Sequence, residues 1–425
     1  MFPNPHDALP LPAHPNLEQY KKLAKDLVIA ANSDDPAALK AWARTWIESL
    51  VRLANLSISP QLPVNVDQWT EQVESFARAQ KESAEKFSVT RAQFVLARTH
   101  CFESWPKFAS QIEALALANS MESHFENAAD AIVTGDISTL QNLLGANPKL
   151  IRARSARQHR ARLLHYVAAN GVEGYRQKTP ANIVEIAQLL LDSGAEVDAT
   201  ADVYGGAATT LALVATSVHP EHAGVQEKLL QLLLDHGASP HRKDEGGMSI
   251  LNSCLANGRP RAAEFLASHG APLDLESAAG LGKMELVQGF FDRQGSLVST
   301  APRAQLERGF LWACEYGRTE VVEYLLKHGL LPSTHAGTGQ TALHWTVIGA
   351  HVDIISLLLA RGADLEKKNS YGGTALGQAL WSATHSSKEN ENAYIAVIKL
   401  LIKSGARVEE SMRPWLAQHG LSASE

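Results

Sequence analysis

Cysteine is scarce: Cys101, Cys254 and Cys314 are the only three in 425 residues, they lie far apart, and no CxxC pair occurs. That excludes a disulfide framework and suits buried thiols in a reducing compartment. Charge of one sign is missing too. Lys and Arg number 39 against 45 Asp and Glu, and the net charge of −6 gives no global attraction to nucleic acid or anionic membrane. No apolar run reaches the ~18 residues of a membrane span. The opening MFPNPHDALPLPAHPN has neither a basic nor an apolar targeting segment. A cytoplasmic protein is expected. Catalytic signatures are also lacking: there is no G-x-S-x-G, no HExxH, no P-loop and no G-x-G-x-x-G opening a helix after a strand.

What the chain does have is repetition. A glycine closes an apolar helix in LLLDSGAEVD, LLLDHGASPH, FLASHGAPLD, YLLKHGLLPS, LLLARGADLE and LLIKSGARVE. Each is placed to take the left-handed conformation that ends a helix. Upstream of them run short helices rich in small residues, such as LLHYVAANG and TALHWTVIG. From opening residue to closing glycine, Leu251 to Gly270, Phe310 to Gly329 and Leu343 to Gly362 are each 19 apart. From closing glycine to the next opening residue, Gly237 to Leu251, Gly329 to Leu343 and Gly362 to Leu376 are each 14, so the period is 33.

These units resemble ankyrin repeats, whose pattern is T-P-L-H-x-A-A-x-x-G-H, a second helix and G-A-D-V-N; TALHWTVIGAHVDIISLLLARGADLE follows it almost throughout. The resemblance implies an all-α ankyrin-repeat solenoid of about eight repeats with β-hairpin fingers, over residues 121–411. It also implies a concave groove floored by the inner helices and edged by the fingers. His165 and His344 stand where the family has its structural histidine. Most such arrays bind a protein partner and do no chemistry.

Residues 1–120 read as helices without the repeat, and resemble the helical segment that precedes ankyrin arrays in some bacterial proteins. Residues 412–425 read as a C-terminal cap and tail. VTRAQFVLARTHCFESWPKF has the length of a helix-turn-helix, but Glu103, Trp105, Pro106 and Phe108 stand where base-reading residues belong. A capping domain is the better reading, and no nucleic acid is expected.

Departures from the 33-residue period mark what is individual here. Leu164 to Gly194 is 30, Leu211 to Gly237 is 26 and Leu376 to Gly405 is 29, which places inserts near 172–183, 216–225 and 382–393. Gly194 to Leu211 is 17, so one finger is longer by three residues. Gly270 to Leu275 is only 5, so one finger is essentially absent and a gap for an incoming chain is expected there.

All three inserts fall in the helix–helix turn, opposite the fingers, and the first two should stack into a second wall. A cup so walled would present Tyr166, Asn170, Tyr175, Arg176, Lys178, Asp202, Tyr204, Thr216 and His219, with Tyr316 and Tyr371 as further anchors on later repeats. IRARSARQHRAR, with five arginines and no acid, suits either a solvated finger or an anion contact. HPEH has two imidazoles without the further ligands a zinc site needs, so no metal and no cofactor are expected. The preferred reading is a monomeric binding or scaffold protein, with recognition centred on the first three repeats and their inserts. The alternative is an enzyme or a specific binder of a small, possibly anionic, ligand, using the insert-walled cup.

Overall fold

The computed structural model describes residues 4–12, 15–53, 66–82, 86–298, 301–386 and 388–421, with the side chains of 388 and 389 outside that set. The chain divides into two compact units, Met1–Ile250 and Leu251–Glu425. The first unit takes in both the N-terminal helices and the first repeats.

The first unit opens with helices Leu17–Ala31, Ala38–Leu53, Val66–Glu82, Val89–Thr99 and Trp105–Leu115. Asn16, with its side chain on the Glu18 and Gln19 amides, caps the first, and Ser88 caps the fourth. At the fifth, Ser104 takes the capping backbone conformation without a side-chain bond, and Pro106 fills the first turn, where no amide is needed. Apolar stripes from these helices meet in a core of Leu27, Trp46, Ile47, Phe87, Val95 and Leu96.

Helices Met121–Thr134 and Ile137–Ala146 begin the repeats. The next inner element is a 3-10 turn, Leu163–Ala168, followed by helix Ile183–Asp192. The lengthened finger then pairs Thr200 with Thr209 and Ala201 with Ala208. Helix pair Thr210–Thr216 and Gln226–Asp235 completes the unit, with the second insert folded as the short helix Val218–His222 between them.

The second unit carries inner helices from Ile250–Ala256, Leu275–Gly280, Arg303–Glu315, Ala342–Ile348 and Ala375–His385, each with an outer helix behind it. Its core runs from Leu275 to Leu421 and is built from the inward faces of neighbouring repeats. No repeat buries its own apolar face alone, so stability comes from stacking. The closing glycines hold the left-handed conformation, with φ of +89° at Gly194, +90° at Gly329 and +96° at Gly405.

The expected gap before Leu275 is filled. Helix Arg303–Glu315 starts two turns earlier than the period requires, and its extra turns lie over Leu275–Gly280. Leu306 is buried there, and Gln305 Nε2 donates to Asp274 Oδ2 at 3.4 Å. An added Cβ on Gly309 would sit 3.0 Å from Ala279 Cβ, so no chain can enter at this point. The third insert lengthens the helices Ala375–His385 and Lys388–Lys403 instead of forming a loop; position 387 lies outside the described residues.

Candidate functional site

The first insert is not a free wall. It turns back onto helix Met121–Thr134 and onto the N-terminal segment. Gly174 N–H donates to His6 O at 3.1 Å, and a Cβ on Gly174 would lie 2.6 Å from that oxygen, which restricts the position to glycine. Gln177 Nε2 donates to Val172 O at 2.8 Å, and its Oε1 is 3.3 Å from His6 Nδ1.

Beneath this turn lies a buried charge cluster. Arg176 donates through Nε to Asp130 Oδ1 at 2.8 Å, and its Nη1 stands 2.9 Å from Glu126 Oε2. Arg157, wholly buried, places Nε 2.7 Å from Glu173 Oε1 and donates through Nη2 to the Tyr175 hydroxyl at 3.0 Å. His159 Nε2 is 3.4 Å from the same Glu173 oxygen. The Arg176 guanidinium also faces the rings of Tyr175 and Tyr166 at 5.4 and 5.8 Å. Burial by itself would raise the Glu173 carboxyl, but Arg157 and Arg176 beside it outweigh this and hold it well below the usual carboxylate range. Their own guanidiniums are held above the ordinary arginine value by these carboxyls, despite burial.

Two guanidiniums thus meet three carboxyls. A cavity of about 270 Å³ opens beside them, lined by Asp130, Tyr175, Arg176 and Lys178 under Pro10 and Pro12. An anion entering it would have to compete with Glu126, Asp130 and Glu173 for the same donors. Arg157 is therefore not an open anion site, and the arginine-rich run is solvated only in part, with Arg152 and Arg160 exposed. Arg154 is likewise engaged, with the carbonyls of Arg160 and Thr200, and Arg162 pairs with Glu196 at 2.9 Å.

The other expected residues fall into two groups. Tyr166 is fully buried with its hydroxyl unpartnered, and Arg176 is buried as described, so neither is available at a groove surface. Tyr175, Thr216, His219 and Tyr316 are half-buried, while Lys178 and Asp202 are exposed. Burial, helped by the charges of His222 and His6, lowers the His219 pKa. Tyr316 donates its hydroxyl to Leu255 O.

Asn170 forms a junction: its Nδ2 donates to Leu213 O and Thr216 Oγ1 at 3.2 and 3.1 Å, and its Oδ1 accepts the Tyr204 hydroxyl at 2.7 Å. Tyr204 is thereby fixed yet remains 67% exposed. Its φ of +52°, before Gly205 and Gly206, holds a non-glycine residue in a left-handed turn at the fingertip. In the second unit Tyr371, on a finger, is 79% exposed, and Trp381, on an inner helix, is 61% exposed.

His165 and His344 do the same work. The amides of Arg162 and Thr341 donate to the respective Nδ1 atoms, and each Nε2 bonds a carbonyl of the following finger, Ala199 at 3.0 Å and Gly373 at 3.1 Å. Nδ1 is thus the acceptor and Nε2 the protonated nitrogen. Burial drives the His165 pKa down to about 4, so the ring is neutral.

Sequence reasoning missed Glu126 and Asp130, four apart on one helix face in FENAADAI, as the partners of the insert. It also passed over Glu315.

Comparison with known proteins agrees with the repeat geometry. Family models for ankyrin repeats match residues 226–267 and 310–412. The chain carries ankyrin repeats. It is similar to human Rabankyrin-5, at 29% identity over 173 residues, 40% of this chain and 13% of that protein. Human SH3 and multiple ankyrin repeat domains protein 2 is 26% identical over 155 residues, 36% of this chain and 7% of that one. The ankyrin chain therefore spans only a small fraction of these relatives. The human ASB11 ankyrin repeat domain covers 66% of this chain and 99% of its own at 20% identity, with a TM-score of 0.34, too loose an overlay to bear on function. Among the described residues no helix is long and apolar enough to cross a membrane.

Proposed function

We propose that this protein is a binding or scaffold protein that holds a partner protein against its ankyrin fingers and inner helices. Recognition centres on the first three repeats, where the lengthened finger presents Tyr204. The observation that carries this reading is the Tyr204–Asn170 contact: an aromatic ring held rigidly by a 2.7 Å hydrogen bond and still two-thirds exposed. A fixed aromatic loses little conformational entropy on binding, which is why such residues dominate interface energetics. Tyr371, exposed on a finger, offers a second aromatic anchor in the other unit. A cytoplasmic, monomeric protein suits this role. The rival, a small-molecule or catalytic cup behind the inserts, is less well supported because Arg157 and Arg176 already satisfy the chain's own carboxyls.

The test is affinity capture with the full chain, wild type against Tyr204→Ala and Tyr371→Ala, with captured species quantified by mass spectrometry. A protein partner depleted in the Tyr204→Ala capture, with thermal stability unchanged, is the expected result. A partner retained at full level by both variants, or a small molecule of defined mass as the only bound species, overturns the reading.

A further inference from the structure

Buried carboxyls in this chain are matched to cations: Glu173 and Glu126 to Arg157 and Arg176, and Glu276 to Arg308 at 2.7 Å. Glu315 breaks that pattern. Its Oε2 is buried without a hydrogen-bond partner among the described residues, while the residue as a whole is half-buried and so within reach of a ligand. An unpaired buried carboxyl oxygen is costly, so its persistence in a well-packed repeat asks for a function.

The surroundings are aromatic. Glu315 follows Trp312 by three residues on helix Arg303–Glu315, so the two share a face. Trp312 stacks on Tyr316 with centroids 6.3 Å apart, and meets Trp345 of the next repeat edge-on at 5.2 Å. The third insert carries in Tyr394, whose hydroxyl donates to Ile348 O at 2.8 Å and whose ionisation feels the Glu315 charge. All four rings are half-buried, leaving surface for a ligand to meet.

We propose that Glu315 and the rings of Trp312, Tyr316, Trp345 and Tyr394 form a site for an alkylammonium group on a partner protein, a lysine-type side chain. The chemistry selects it. An apolar group would leave the carboxyl unmet, and an anion would be repelled by it. An ammonium on an alkyl stem offers the charge to Glu315 and lays its polarised methylene or methyl groups on the ring faces. This deepens the binding-protein reading and rests on it for the partner, but the site itself is testable without one.

The free site is poised for exchange. Burial lifts the Glu315 carboxyl to about 8, so at neutral pH it is mostly protonated, and an arriving cation displaces that proton. Its shifted neighbours move away from the range between pH 7 and 9: His351, whose Nε2 bonds Glu315 O at 2.8 Å, is lowered by burial, and Tyr316, Tyr394 and the Cys314 thiol are raised by it. The guanidiniums of Arg318 and Arg259 are the cations that act on Tyr316 beside it. Affinity for a permanent cation therefore rises by about tenfold per pH unit below 8 and levels off above it.

The experiment titrates the full chain with tetramethylammonium chloride and, separately, butylammonium chloride against a sodium chloride control, from pH 6 to 9, by tryptophan fluorescence and calorimetry. Wild type is compared with Glu315→Gln and Tyr394→Leu. Saturable binding that weakens at least tenfold in Glu315→Gln, with melting temperature not lowered, is the expected result; Tyr394→Leu weakens it too, and serves if Glu315→Gln does not fold. Butylammonium alone binding points to a primary lysine, and tetramethylammonium binding also points to a methylated one. No saturable binding of either probe to wild type, or equal binding by the variants, overturns the proposal while leaving the Tyr204 capture test untouched.

Discussion

Glu173 in the first unit, wholly buried, and Glu315 in the second, half-buried with its Oε2 out of solvent, both lie close to the helix–helix turn of a repeat, and they have opposite electrostatics. Glu173 sits between two guanidiniums and stays ionised; the Glu315 carboxyl has no ion-pair partner among the described residues, and burial favours its protonated form. Same side chain, same kind of position, yet one locks an insert in place and the other is left waiting. What differs is the partner supplied by another part of the chain: Arg157 and Arg176 pair with Glu173, whereas the nearby Arg318 is engaged by Glu264 and the Gly280 carbonyl. In a repeat array the scaffold is common to all units, so individuality comes from these long-range additions.

The largest effect expected from disturbing this contrast is at the locked end. Arg157→Leu should leave Glu173 charged without its closest partner and destabilise the first unit by about 3–5 kcal/mol, measured by urea unfolding. Gly174→Ala should cost about 1–3 kcal/mol, as its Cβ pushes against the His6 carbonyl. That would appear as faster amide exchange in residues 4–12.

The pH dependence separates the two glutamates by sign. The folded pKa of Glu173 lies below the ordinary 4.5, so its contribution is present above pH 4.5 and lost as pH falls through the folded value. For Glu315 the folded value of about 8 lies above 4.5, so the folded state holds a proton the unfolded state has released. Its contribution is full below pH 4.5 and is lost as pH rises through 8. The wild type should therefore lose stability between pH 5 and 9, and Glu315→Gln should remove that decline, as read from melting curves. The smallest stability effect belongs to Tyr204→Ala. It should stay within about 0.5 kcal/mol of wild type, as for most exposed positions, while weakening partner binding by more than 1 kcal/mol.

The repeat scaffold was legible in the sequence because its determinants are local. Gly194, Gly329 and Gly405 end helices by their own backbone freedom, and His165 and His344 bond within three residues of themselves and to the next finger. Insert positions followed from the same arithmetic. Their chemistry did not, because Arg176 finds Asp130 and Glu126 across 46 and 50 residues, and no local pattern reports a partner that distant. Arg176 and Tyr166 read as surface residues for that reason, and are buried. The absent finger before Leu275 was equally visible, while the early start of helix Arg303–Glu315 that fills its place was not, since RAQLERG carries no signal naming what it will cover.

A pH titration of the full chain by NMR, with the glutamate carboxyl carbons labelled and Glu173→Gln and Glu315→Gln as assignment controls, tests the contrast most directly. The account predicts one carboxyl, Glu315, titrating near pH 8 and moving toward lower pH when tetramethylammonium is added, with Glu173 still ionised at pH 4.5. A Glu315 carboxyl that titrates in the ordinary range near pH 4.5, unmoved by the cation, would contradict it.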